Sequence, residues 1–572
     1  MKKLLVYLKD DMKACILAPL FKLLEAGMDL MVPMVVADML NRGVLQADHA
    51  LLYRGFQELL FLATAGLLFS FTAQWFAAKA SVSFASRIRQ AVFDHVQTLS
   101  YSQLDRLGTD TLITRLTSDV NQVQTGVNMA LRLLLRSPFI VFGSMIMAFQ
   151  INFRCALIFA VSIPFLGLII FGIMQTSIPL YTSAQKALDR LTMSARENLS
   201  GVRVIRAFNA QQKEMHAFEM DSHEVTKLNE RVGRLSATLN PLTFTLINVA
   251  IIFLIQTGLL EVHLGHIVQG DVVALYNYMT QMIIELIKLT SLIIVLNRSV
   301  ACADRLCDVL ETDAGMQDGK EVKIDLAASP AVAFRHVSFR YGEQDGDALH
   351  DISFEVGNGE TVGIIGGTGS GKSSIMNLIP RFYDADAGEV VVFGKNVHLY
   401  EKEALLNHFG IVSQQAILFA GTIRANIQFA DPAVNDDEIW QALAIAQAKD
   451  IVDGKEGGLD AVVEQNGRNF SGGQRQRLTI ARAVVKKPDI LLLDDAASAL
   501  DQATDLRLRK ALRAMKGKYT IFIVSQRIAS VKNADHILVL QNGRLVGDDR
   551  HEKLLVSCPV YQQLYASQSG GV

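Results

Sequence analysis

Val362-Gly363-Ile364-Ile365-Gly366-Gly367-Thr368-Gly369-Ser370-Gly371-Lys372-Ser373-Ser374 decides how the C-terminal half of this chain folds. An apolar run of strand length, Val362 to Ile365, passes directly into a glycine-rich loop. Ser374-Ile375-Met376-Asn377-Leu378 then continues as a helix. That order is a P-loop, in which successive backbone N–H groups curl around the β- and γ-phosphates of a nucleotide, backed by a helix N-terminus. Lys372 brings a point charge to the phosphate oxygens, and the Ser373 hydroxyl suits Mg²⁺. The expected phosphate ligands are Gly366, Gly367, Thr368, Gly369, Ser370, Gly371, Lys372, Ser373 and Ser374.

Further along, Ile490-Leu491-Leu492-Leu493-Asp494-Asp495 reads as a second buried strand ending in carboxylates, with Asp494 the expected outer carboxylate of the Mg²⁺ site. Short β-branched runs alternate with helical ones beyond residue 330, as in a P-loop α/β domain. Residues 1–300 differ in kind. They contain six apolar runs near the ~20 residues that cross a bilayer, at about 14–38, 56–78, 134–152, 155–178, 240–262 and 272–298. Asn152-Phe153-Arg154 separates the third from the fourth, which predicts a tight hairpin. The long segments after the second and fourth runs are basic, with Arg87, Arg89, Arg106 and Arg115 in one and Arg190, Arg196, Arg203 and Arg206 in the other. By the positive-inside rule both segments and both termini face the cytosol. The first run carries Lys22, Glu25 and Asp29 on one helical face, an arrangement suited to a water-filled cavity.

The bulk numbers agree. At 572 residues the chain is too long for one core. Half of it is hydrophobic and a fifth charged, apolar for a soluble protein, and the net charge of -2 gives no pull toward nucleic acid. The five cysteines fit neither a zinc pattern nor a disulfide framework. Met1 to Asp11 is a basic amphipathic stretch suited to a membrane surface.

Three further motifs carry a family resemblance. Phe470-Ser471-Gly472-Gly473-Gln474 resembles the signature of ABC transporters, Ser498-Ala499-Leu500-Asp501 their D-loop, and Val412-Ser413-Gln414 their Q-loop. The layout is similar to an ABC exporter half-transporter of the type IV fold. The resemblance implies a transmembrane domain over 1–310 with six helices and two coupling helices, a linker over 311–330, and an α/β nucleotide-binding domain over 331–572. It implies ATP and Mg²⁺ as ligands, Tyr341 stacking on adenine, and Gln414 sensing Mg²⁺ and water. Ser471, Gly472, Gly473 and Gln474 would close over a nucleotide in trans, beside Asp501, so a second nucleotide-binding domain must face this one. Segments near Thr109–Asn121 and Leu199–Asn209 resemble the coupling helices.

Two positions depart from the family. Its general base, Glu, is Asp495 here, and its switch histidine is Gln526. The chain therefore resembles the degenerate-site subunit of bacterial heterodimeric multidrug exporters in the plasma membrane. The expectation is ATP-driven export of hydrophobic or amphipathic compounds alongside a partner half-transporter, in contact with membrane lipids. Export of lipids or peptides, a homodimeric exporter and an ATP-gated channel or regulator are the alternatives. Lys22, Glu25, Asp29, Glu285 and Lys288 are candidate liners of the substrate cavity, Glu285 and Lys288 being spaced to pair with each other.

Overall fold

The computed structural model describes residues 2–342 and 346–568. The chain divides into two compact units, one of residues 1–97 and 110–311, the other of 98–109 and 312–572.

The first unit is helical. A 3₁₀ turn, Lys2–Asp11, leads into α1 (Met12–Asp38) and α2 (His49–Thr98). After α3 (Tyr101–Leu107) come α4 (Thr109–Thr114), α5 (Val120–Leu133), α6 (Arg136–Ile151), α7 (Phe153–Ser200), α8 (Val202–Ala207), α9 (Gln211–His263) and α10 (Gln269–Glu311). Asn152 makes the expected hairpin: its extended backbone ends α6, and its side chain accepts from the Cys155 N–H to cap α7. Among the described residues, five stretches are long and apolar enough to cross a membrane: His49–Thr98, Thr109–Ile151, Phe153–Ser200, Pro241–His263 and Gln269–Glu311. The sixth expected span, 14–38, is helical as α1 but is not among them, and its three charges lower its apolar character. On α1 a stripe of Ala14, Ala18, Ala26, Leu30, Pro33 and Ala37 is buried, with Lys22 in the middle of it. Small side chains at that spacing let helices approach closely. Pro33 has no N–H to give to the Asp29 carbonyl one turn back. Gln281 of α10 donates to that carbonyl instead, at 3.2 Å, and the Tyr278 hydroxyl donates to the Leu30 carbonyl at 2.7 Å.

The second unit is built on three sheets. Strands β1 (Val332–Phe339), β2 (Leu349–Val356), β4 (Ala387–Val392) and β5 (Lys395–Asn396) form an antiparallel sheet in the order β2-β1-β4-β5. The central sheet has the order β12-β11-β3-β10-β9-β6, from β3 (Thr361–Gly366), β6 (Phe409–Val412), β9 (Ile490–Asp494), β10 (Thr520–Val524), β11 (His536–Gln541) and β12 (Arg544–Asp549). All of its pairings are parallel except β11–β12. A small ribbon pairs β7 (Gly421–Thr422) with β8 (Val462–Val463). The helices are α11 (Lys372–Leu378), α12 (Lys402–Leu406), α13 (Ile423–Gln428), α14 (Asp436–Ile445), α15 (Lys449–Asp453), α16 (Gly472–Val485), α17 (Gln502–Arg513), α18 (Ile528–Val531), α19 (His551–Ser557) and α20 (Pro559–Gln568). Residues 362–365 of β3 and 490–493 of β9 are buried without interruption because both faces of the parallel sheet are covered, one by helices such as α14 and α16 and the other by α11 and the antiparallel sheet.

Residues 312–330, expected as a linker, group with the second unit, where Gly319 and Lys320 N–H groups bond to the Tyr400 and Leu399 carbonyls. Of the coupling segment expected near Thr109–Asn121, residues 110–121 belong to the helical unit, whereas Thr98–Thr109, with α3, belongs to the second. The reason lies in aromatic packing: Tyr101 sits 4.6 Å from the Phe382 ring, and Tyr383 donates to Asp105 at 2.6 Å.

Candidate functional site

The parallel strands of the central sheet deliver their loops to one edge, where α/β domains bind ligands. β3 ends in the P-loop, β9 in Asp494 and Asp495, and β10 in Ser525 and Gln526. Val412 of β6 pairs with Leu493 of β9, so Gln414 follows β6 at the edge where Asp494 ends β9.

Within the P-loop, Gly369 and Gly371 take φ of 77° and 97°, a region L side chains rarely adopt. A Cβ on Gly371 would meet Leu349 at 2.6 Å and the Ala348 carbonyl at 2.7 Å. A Cβ on Gly367 or Gly369 meets nothing within 4 Å, so these two face open space. A cavity of about 270 Å³ opens there, lined by Tyr341, Ala348 and Gly369 to Ser374. Lys372 is buried, and its Nζ donates to the carbonyls of Gly367 at 2.6 Å and Gly366 at 3.1 Å. Burial lowers its pKa, against the charges of Asp494 and Asp495.

Asp494 and Asp495 are both pushed above the ordinary carboxylate range by burial. A hydrogen bond from Ser373 and the charge of Lys372 oppose the shift at Asp494. At Asp495 the neighbouring Asp494 adds to burial, while Arg527 and Lys372 oppose them. The Asp494 carboxylate, hydrogen-bonded by the Ser373 hydroxyl, is an oxygen donor pair of the kind a hard divalent cation takes, so Ser373 and Asp494 fit Mg²⁺. Tyr341 stands at the cavity's edge, its hydroxyl 3.2 Å from Ser374 Oγ and its ring edge-on to Tyr383 at 5.2 Å.

The signature residues form a separate feature. Ser471 and Gln474 make a reciprocal capping box on α16: Ser471 Oγ accepts from the Gln474 N–H, and Gln474 Oε1 accepts from the Ser471 N–H. Gly473 sits where a Cβ would come within 2.8 Å of the Ala499 carbonyl. Asp501 caps α17 by accepting from the Thr504 N–H at 2.9 Å.

Sequence reasoning missed Gln476. Only 2% exposed, it donates to the Asp495 carbonyl at 3.1 Å and accepts from the Ala499 N–H at 3.3 Å, tying α16 to the strand end and the D-loop. It also missed Arg136 in the helical unit. The Arg136 guanidinium reaches Glu285 at 2.6 Å, Asp29 at 2.9 Å and Glu25 at 3.8 Å. Lys22 pairs with Glu25 at 2.5 Å, and Lys288 pairs with Glu285 at 2.8 Å, so the spacing reading of that last pair holds. The five charged candidates thus join one network, closed by Arg136. No local signal marks Arg136, because its partners lie more than a hundred residues away in sequence.

Comparison with known proteins gives the frame. Residues 15–286 match the model of the ABC transporter transmembrane region, and residues 349–498 match that of the ABC transporter domain. The chain is 35% identical to the uncharacterized ABC transporter ATP-binding protein YfiB of Bacillus subtilis, covering 100% of this chain and 99% of that one. It is 31% identical to an ATP-dependent lipid A-core flippase of Sodalis glossinidius, across 88% of this chain and 86% of the other. A solved bacterial Atm1-family ABC exporter with ATP bound superposes with a TM-score of 0.81 at 22% identity, over 98% of each chain, and so shares the fold.

Proposed function

We propose, from the premise that the chain belongs to the ABC transporters with a transmembrane region and a nucleotide-binding domain fused in one polypeptide, that it is the slow half of an unequal exporter. The ATPase domain is that of a transporter that couples ATP hydrolysis to transport. The finer reading rests on one observation: the carboxylate after Asp494 is Asp495, on a backbone with φ of 48°. Its side chain is one C–C bond, ~1.5 Å, shorter than Glu. Misplacement by about 1 Å can cost on the order of a hundredfold in rate, within the roughly 10²–10⁴ that general-base catalysis supplies. Gln526 can hydrogen-bond a γ-phosphate but gains no positive charge near neutral pH.

In this reading the P-loop N–H groups and Lys372 hold the phosphates of ATP, and Tyr341 stacks on adenine. Lys372 must leave the Gly366 and Gly367 carbonyls to do so. A Mg²⁺ ion held by Ser373, Asp494 and Gln414 would neutralise phosphate charge. Asp495 orients the attacking water poorly, so ATP stays bound. Ser471, Gly472, Gly473 and Gln474, set on a capped helix and flanked by Asp501, serve the site of a partner half-transporter that carries Glu and His. Closure of the paired domains moves the membrane helices through α3 and through α8, the latter inside the segment Leu199–Asn209. With α1 as a sixth span, both termini and the nucleotide-binding domain lie in the cytosol of a bacterial cell.

The substrate reading is a hydrophobic or amphipathic compound, with lipids prominent. Its support is the network of Lys22, Glu25, Asp29, Arg136, Glu285 and Lys288, whose Asp29 and Lys288 side chains remain 42% and 45% exposed. Charged groups at such depth face a cavity rather than acyl chains, so a transported molecule with a polar head on an apolar body has both surfaces offered to it.

The test is turnover of the purified chain alone in lipid nanodiscs. ATP hydrolysis below about 0.1 s⁻¹, against the roughly 1–10³ s⁻¹ typical of enzymes, together with tight ATP binding, is the expected outcome. Turnover of about 1 s⁻¹ or more by the lone chain overturns the unequal-halves reading.

A further inference from the structure

We propose that Gln568, at the end of α20, is a positioning residue that aims Gln526 at the nucleotide. The proposal rests on the reading of Gln526 as the switch residue. The primary amide of Gln568 grips the backbone of the switch loop at two points. Its Nε2 donates to the Gln526 carbonyl at 2.6 Å, and its Oε1 accepts from the Ile528 N–H at 2.7 Å. The two groups lie two residues apart on an extended backbone, with Arg527 at φ -95° and ψ 118°. An amide side chain there does what a neighbouring strand would do, at a place where the sheet provides none.

The rest of the loop is fixed around that grip. The Ser525 hydroxyl accepts from the Arg527 N–H at 3.0 Å. The Ala529 carbonyl accepts from the Arg509 guanidinium, which also pairs with Asp505 at 2.8 Å on α17. Ile528 is buried in a cluster with Val531, Leu554, Cys558 and Tyr561, which seats α20 against α18. The Tyr561 hydroxyl and His551 Nδ1, 2.7 Å apart, bind α20 to α19. The peptides from the Gln526 carbonyl to the Ala529 carbonyl are therefore held, whereas Gln526 itself is exposed. The direction of a free side chain on a fixed backbone is set by that backbone, and a 1 Å error at the γ-phosphate is costly. Gln568 does not line the P-loop cavity, so its effect runs through Gln526.

Single-turnover cleavage of radiolabelled ATP by excess full-length protein in nanodiscs tests this at a slow site. Gln568→Ala should slow cleavage three- to tenfold, with the ATP Kd within twofold of wild type and the Tm within a few degrees. Gln568→Glu should match it: a carboxylate can accept from Ile528 but meets the Gln526 carbonyl with oxygen against oxygen. The double variant with Gln526→Ala should be no slower than Gln526→Ala alone, since coupled residues are not additive. Additive losses, or a Gln568→Ala rate equal to wild type beside a slowed Gln526→Ala, overturn the grip alone. A Gln526→Ala rate equal to wild type overturns the switch reading instead.

Discussion

Asp495 sits in the left-handed region, which short polar residues such as Asp and Asn tolerate better than longer ones. Its carbonyl accepts from Gln476 and from the Ser498 hydroxyl, so this conformation is held from both sides. Asp495→Glu regains reach at some backbone cost. It should raise single-turnover cleavage about tenfold, with a further gain only when Gln526→His is added. Rapid-quench kinetics on both variants checks this. Burial lifts the Asp494 and Asp495 carboxyls above their ordinary value, so between the ordinary and raised pKa the nucleotide-free fold binds more protons than the unfolded chain. That contribution to stability is complete below the ordinary carboxylate pKa of about 4 and is lost as pH rises through the raised one. Asp495→Asn should therefore melt a few degrees higher than wild type at pH 7, and the gap should close towards pH 4. Calorimetry across that range is the measurement. Asp495 and Gln526 were readable from the sequence because fixed motifs frame them. The backbone grips of Gln476, which follows the signature directly, and of Gln568 were not, since an amide that bonds a distant backbone leaves no mark of its partner in the sequence.

The P-loop shows how two glycines of one element carry different burdens. Gly371 has φ of 97° and a Cβ position already filled by Leu349 and the Ala348 carbonyl. Gly371→Ala should destabilise the domain by roughly 2 kcal/mol or more. Gly367 has open space on its Cβ side, which in the proposed site is nucleotide space. Gly367→Ala should keep the melting temperature within about 1 °C and weaken ATP binding at least tenfold. Fluorescent-nucleotide titration beside thermal unfolding separates the two. The position of α3 was less legible. Helical periodicity runs through 98–121 without preference, and tertiary contacts such as those of Tyr101 and Asp105 with Phe382 and Tyr383, and of the Ser100 N–H with the Ala314 carbonyl, decide which part joins the second unit.

At the scale of the molecule, the apolar runs located five spans, while the charges of α1 set it apart from the other five. Those charges are a tertiary feature: three cations and three carboxylates on α1, α6 and α10 neutralise one another through Arg136. Arg136→Met should cost up to about 3–5 kcal/mol, because the buried Glu285 loses its closest cation and keeps only Lys288. Pairing it with Glu285→Gln should recover part of the loss, read as the detergent melting temperature of each variant. The network's six charges sum to zero. A transmembrane potential does work of about 2.3 kcal/mol per elementary charge per 100 mV, and on this cluster, moving as a body, it does none. Its displacement during a transport cycle is therefore electrically silent, and the cell's membrane potential neither pushes nor brakes it.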